Sequence, residues 1–189
     1  DLKCPGSGAK GVFPALEYLT ASNRKNFGDD VPAYDDGTLN ADGKRVVVIG
    51  GGDTAMDCVR TAIRQGAKSV SCVYRRDRAN MPGSQREVTN AEEEGVTFEW
   101  LASPDAILDT KAGKLKAVRA SRMKLGEPDA SGRQSPVKTG ETFDIKADMV
   151  IKALGFDPED LPELFGEETL TVNRWGAVRV DYATMETSL

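Results

Sequence analysis

Histidine is missing from all 189 residues. Its absence excludes Ser-His-Asp triads, histidine-based zinc sites and an imidazole proton shuttle. Cysteine is scarce: Cys4, Cys58 and Cys72 are odd in number and share no metal-type spacing. A disulfide framework and a metal site are therefore not expected, which suits a reducing cytoplasm. No apolar run approaches the ~18 residues of a membrane span, so no membrane partner is expected. Basic charge is also in deficit, 25 Lys+Arg against 30 Asp+Glu for a net charge of -5. That balance argues against nucleic acid as a partner. There is no start Met and no signal-peptide pattern, and both ends ("DLKCPGSG", "ATMETSL") read as cut. The chain is expected to be a domain excised from a longer protein.

What is present suffices for a core, since 39% of residues are hydrophobic. "KGVFPALEYLTASNRK" predicts a short helix, with Pro14 near its first turn and Val12, Leu16 and Leu19 at helical spacing. Phe27 to Gly43 is rich in Asp, Gly and Pro and reads as loop. Arg45 to Ile49 is apolar without alternation, as in a parallel strand buried on both faces. Asp53 to Gln65 reads as a helix with Ala55, Val59, Ala62 and Ile63 on one face and Gly66 as its stop. Ser69 to Tyr74 is a second strand, which completes a βαβ unit in about thirty residues. A helix over Gly83 to Glu94 and a strand at "VTFEWL" follow. From Ile107 to Lys146 short strands broken by "KAGK" and the polar "GEPDASGRQSPVKTG" predict a hairpin or meander. "ADMVIKALGF" is a returning strand, and the remainder reads as loop with two short strands. The expected fold is α/β, a Rossmann-like parallel sheet with a β-meander. Residues 1–43 read as an N-terminal connector and helix, 44–156 as a nucleotide-binding domain and 157–189 as a C-terminal connector.

"VVVIGGGDTA" supplies Gly50-x-Gly52-x-x-Ala55 between a strand and a helix. Gly50 lets the chain turn sharply. Gly52 lets backbone N–H groups approach a pyrophosphate, and Ala55 lets the helix pack close to the sheet. The helix N-terminus adds unpaired N–H groups and partial positive charge. A tight turn in another α/β protein, including a nucleoside-binding methyltransferase, has the same appearance. Asp53 reads as an N-cap.

About 20 residues past such glycines, an NAD site carries an acid that holds the ribose 2′-hydroxyl. Here "CVYRRDR" places Arg75, Arg76 and Arg78. A carboxylate would repel a 2′-phosphate, whereas guanidinium geometry matches it. The cluster therefore predicts NADP(H) over NAD(H). The plainer alternative is surface ion pairing with Asp77, Asp53 or Glu87.

The segment "GGGDTAMDCVRTAIRQGAKSVSCVYRRDRANMPGSQREV" and the later "ADMVIKALGFDP" resemble the NADPH-binding part of the small (beta) subunit of NADPH-dependent glutamate synthase. That family includes adrenodoxin-reductase-like flavoproteins and the flavin half of dihydropyrimidine dehydrogenase. The resemblance runs from "KGVFPALEYL" onward. It implies an NADPH domain inserted in an FAD domain of the same parent chain. Hydride then passes from NADPH to FAD and electrons through iron–sulfur clusters to the large subunit. It also implies that Gly50, Gly51, Gly52, Asp53, Thr54 and Ala55 line the pyrophosphate and that Arg75 and Arg76 face the 2′-phosphate. Glu87 would approach the nucleotide and Gly155 the nicotinamide end. The FAD fingerprints and the cysteine-rich iron–sulfur segment are missing from this sequence, so FAD and the clusters are expected in the full-length parent only. The isolated chain is expected to bind NADPH and catalyse nothing, with no catalytic residue of its own. The alternative is a stand-alone NADP(H)-binding regulatory module without electron transfer.

Other residues read more plainly. Trp100 and Trp175 are expected to pack, Cys58 and Cys72 to be small buried hydrophobes. "AEEEG" reads as a solvated helix end. Tyr74 either stacks on adenine or ends its strand.

Overall fold

β-Branched residues run unbroken through Val46–Ile49, and this run forms the centre of a parallel sheet. The computed structural model describes residues 2–110, 113–130 and 132–189. The chain divides into two compact units, Asp1–Leu154 and Gly155–Leu189. The first unit contains β1 (Val12–Pro14), α1 (Ala15–Asn26), α2 (Pro32–Asp35), β2 (Arg45–Ile49), α3 (Asp53–Arg64), β3 (Ser69–Tyr74), α4 (Gln85–Glu93), β4 (Thr97–Trp100), β5 (Ala102–Asp109), β6 (Leu115–Pro128), β7 (Gln134–Lys146) and β8 (Met149–Lys152). Five strands in the order β1-β8-β2-β3-β4 make the parallel sheet, and β5-β6-β7 make an antiparallel one. This is the expected α/β fold with a meander.

The parallel sheet is buried on both faces because each has a cover. Val46, Val48, Cys72 and Ile151 belong to one core with Ala55, Met56 and Val59 of α3 and Tyr18 of α1. Val47, Ile49, Val73 and Val150 belong to another with Ile107, Leu115 and Val118 of the meander. The buried face of α3 is Ala55, Met56, Cys58, Val59 and Ala62, and Gln65 caps its end. Gln65 also accepts from the Tyr18 hydroxyl (2.8 Å) and the Ala41 amide (2.9 Å). Gly66 follows at φ +88°.

Three expectations are corrected. Pro14 has extended backbone and caps α1, so Val12 lies in a strand rather than on the helix. The buried face of α1 is Ala15, Tyr18, Ala21 and Ser22, while Leu16 is 58% exposed. The Val12/Leu16/Leu19 spacing straddled two elements. Secondly, Phe27 to Gly43 contains the single turn α2, and Val31 and Leu39 there form a small core with Ala21. Thirdly, the meander strands are long: β6 has 14 residues and β7 has 13. The polar stretch "GEPDASGRQSPVKTG" is largely paired strand, with Leu125 opposite Pro136 and Pro128 opposite Gln134.

Leu101 joins the two sheets. Its φ of +50° is in the left-handed region, unusual for a residue with a Cβ. Its N–H donates to the Arg76 carbonyl (3.0 Å), and its carbonyl accepts from the Met123 N–H (2.7 Å).

The second unit holds α5 (Leu161–Phe165), whose first turn is capped by the Asp160 side chain and which ends at Gly166 with φ +66°. The two strands expected there are reduced to one bridge, Val172 with Val178.

Candidate functional site

Parallel strands all deliver their C-terminal ends to one edge, and the glycine turn leaves β2 at that edge. Three successive glycines do different work. At Gly50, φ is +152° and a Cβ would run into the Ala153 carbonyl at the end of β8. At Gly51 a Cβ would enter the Tyr74 ring. At Gly52 a Cβ would meet nothing within 4 Å. Structure alone therefore requires the first two glycines, whereas the third keeps an outward face clear.

Gly52 itself is the N-cap of α3, so Asp53 stands inside the helix as its first residue. This corrects the N-cap reading of Asp53. Its Oδ1 accepts from the Ser84 N–H (2.8 Å), and Gly83 N–H donates to the Gly51 carbonyl (2.9 Å). Two bonds thus fasten the Met81–Ser84 segment against the glycine turn. A Cβ at Gly83 would sit 3.1 Å from the Gly51 carbonyl, which explains the glycine. Nothing in the local pattern of Gly83 and Ser84 pointed to this, because the partners lie some thirty positions upstream. The N–H groups of Gly51, Gly52, Asp53 and Thr54 have no acceptor among the described residues. Ala55, fully buried, lets α3 approach the sheet.

The arginines separate into two kinds. Arg78 is engaged: it is paired with Glu92 (2.6 Å) and donates to Thr89 Oγ1 (3.0 Å). Arg75 is exposed and has no ion pair among the described residues. Arg76 is half-buried, and its Nε is buried without a hydrogen-bond partner. None of the three pairs with Asp77, Asp53 or Glu87. Tyr74 covers Gly51, meets Trp100 edge-on at 6.5 Å and donates its hydroxyl to the Asn80 carbonyl (2.9 Å). Those contacts give it a structural role at the strand end.

Glu87 faces α3, where its carboxylate pairs with Arg60. Glu94 also accepts from Arg60 (2.7 Å) and from Arg64 (2.9 Å), and those bonds hold its carboxyl below the usual range. Within "AEEEG", Glu92 and Glu93 are exposed as a solvated end would be, whereas Glu94 clasps α4 to α3. Gly155, at φ +91°, opens the second unit. Trp100 stacks on Phe98 at 4.7 Å, as expected, but Trp175 is 65% exposed beneath Arg174. Cys58 and Cys72 are buried, and burial pushes both thiols up to about 12. All three cysteines are free.

Residues 1–189 match the family model "Pyridine nucleotide-disulphide oxidoreductase". The chain belongs to this family. It is 60% identical over 190 residues to the glutamate synthase [NADPH] small chain of Azospirillum brasilense, covering 100% of this chain and 39% of that protein. It is 49% identical over 156 residues to the small chain of Escherichia coli K12, covering 81% and 32%. The chain thus spans well under half the length of these relatives. Among solved structures, Mycobacterium tuberculosis FprA in complex with NADPH superposes with a TM-score of 0.69 at 19% identity, over 86% of this chain and 48% of that one. At that identity the likeness is one of fold. The family's name includes a disulphide, yet the two cysteines in this domain's core, Cys58 and Cys72, are buried and free.

The site residues fit a pyridine dinucleotide. A face kept clear at Gly52, four unpartnered amides around it and an orphaned Arg76 Nε are what a diphosphate with a further phosphate ester would complete.

Proposed function

We propose that this chain is the NADPH-binding module of a flavoprotein oxidoreductase of glutamate synthase small-subunit type. Residues 44–156 hold the nucleotide, and 157–189 lead toward an FAD domain of the same parent. NADPH supplies a hydride, which FAD accepts in that parent. Iron–sulfur clusters and a glutamate synthase large subunit then follow, in the cytoplasm. The observation that carries the reading is the meeting of the Gly51–Thr54 amide cradle with Arg75 and Arg76 at one sheet edge.

Each group has a defined task. The amides of Gly51 to Thr54 and the positive end of α3 hold the diphosphate. Arg75 and Arg76 neutralise the 2′-phosphate and distinguish it from a free hydroxyl. Arg78 supports them indirectly, by fixing the loop to α4 through Glu92. Glu87 acts through Arg60, from behind the cradle. Hydride transfer between two cofactors needs position rather than a protein acid or base. The absence of histidine is therefore no obstacle.

Titration with NADPH and NADH tests this. The chain should prefer NADPH. Arg75→Ala with Arg76→Ala should weaken NADPH by about 2–4 kcal/mol and leave NADH nearly unchanged. Equal affinities in the unaltered chain would sink the reading.

A further inference from the structure

The meander does more than cover the sheet. β5 starts just after β4 ends, at the edge that carries the glycine turn, and β6 returns antiparallel to it, with Arg122 opposite Ala102. At that level the Met123 N–H bonds Leu101, which bonds Arg76. β6 does not stop there. It continues to Pro128, paired now with β7 alone from Lys138 back to Gln134. Six residues beyond Arg122 at about 3.3 Å each carry this ribbon roughly 20 Å past the sheet edge. Its direction is toward the side where the arginine loop stands. Register shifts between Ser121 and Met123 and between Leu125 and Pro128 bend it, as bulges do.

At the ribbon's end, Asp129 and Arg133 close the hairpin: Asp129 N–H donates to the Arg133 carbonyl, and Arg133 N–H to Asp129 Oδ1, both at 3.0 Å. The other arginines of the meander are neutralised, Arg119 by Asp144 and Arg122 by Glu99. Arg133 is exposed and has no ion pair among the described residues. Its charge acts on Tyr74, the residue that precedes the arginine loop. The Tyr74 hydroxyl, raised by burial, is opposed by the positive charges of Arg76, Arg75 and Arg133.

We propose that Arg133, carried on the β6–β7 ribbon, is a third cationic residue for the 2′-phosphate of the dinucleotide, supplied from the second sheet to the arginine loop of the first. This rests on the nucleotide reading above and extends it to a residue 57 positions beyond Arg76. An exposed charge acting across water gives a modest effect, so a few-fold change is expected.

The test uses the full chain, with NADPH and NADH titrated in low salt, and 2′,5′-ADP against 5′-AMP as fragments. Arg133→Ala should weaken NADPH and 2′,5′-ADP by about 3- to 10-fold and leave NADH and 5′-AMP unchanged. Arg133→Lys should restore most of the loss, and the difference should shrink as salt is raised. If the unaltered chain prefers NADPH but Arg133→Ala changes nothing, or weakens both cofactors alike, the proposal for Arg133 fails while the nucleotide reading stands. If the unaltered chain shows no preference, the nucleotide reading fails and takes this proposal with it.

Discussion

The two compact units use apolar side chains in opposite ways. In Asp1–Leu154, Tyr18, Met56, Val47, Val118 and Ile151 are fully buried. In Gly155–Leu189, Leu170 is the one buried hydrophobic among the described residues. Phe156, Phe165, Trp175, Tyr182 and Met185 are all at least 64% exposed. The second unit is not poorer in apolar residues. It lacks a sheet to set them on: one short helix and one bridge offer no common face. Layered strands make a core, and composition alone does not. An apolar surface of this kind fits the proposed continuation into a further domain.

Substitutions in each unit test that contrast. The largest effect is expected in the central sheet. Ile151→Ala removes a fully buried side chain from the main core and should cost about 2–5 kcal/mol in urea unfolding. An intermediate effect is expected at Asp148, which binds Arg45 through side-chain bonds of 2.7 Å. Those bonds, ahead of the opposing desolvation, hold its carboxyl down to about 2. A depressed carboxylate stabilises the fold above its unfolded pKa of ~3.9 and loses that contribution as pH falls through about 2. Asp148→Asn should thus cost about 1–2 kcal/mol at pH 7, and the gap to the unaltered chain should narrow toward pH 2. The smallest effect is expected in the second unit. Trp175→Ala should change stability by less than about 0.5 kcal/mol. A loss as large as that of Ile151→Ala would show that the second unit has a core of its own.

The parts of the molecule that could be read in advance are those where neighbours in sequence are neighbours in space. The valine run, the glycine turn, α3 and its buried face, and the arginines after β3 all lie within one βαβ unit. Their roles follow from period, spacing and chirality over short range. What escaped was decided at a distance. Glu94 looked solvated because its partner, Arg60, is 34 positions upstream. The outer part of the β6–β7 ribbon reads as a polar break between short strands because strands paired only with each other, and wet on both faces, need no apolar alternation. The face of α1 escapes the spacing because Pro14 ends β1 and caps the helix, so Val12 shares no helical phase with Leu16 and Leu19. Gly83 showed no local sign of its contact with Gly51.

Leu101 has one further consequence. Its amide is committed to the basic loop and its carbonyl to the meander, from a backbone conformation that few residues hold. Neither layer can slide without rupturing a tether on the other side, at a cost of roughly 1–3 kcal/mol for the bonds involved. The hairpin arm and the loop at Arg76 are therefore tied to each other through the backbone of a single leucine.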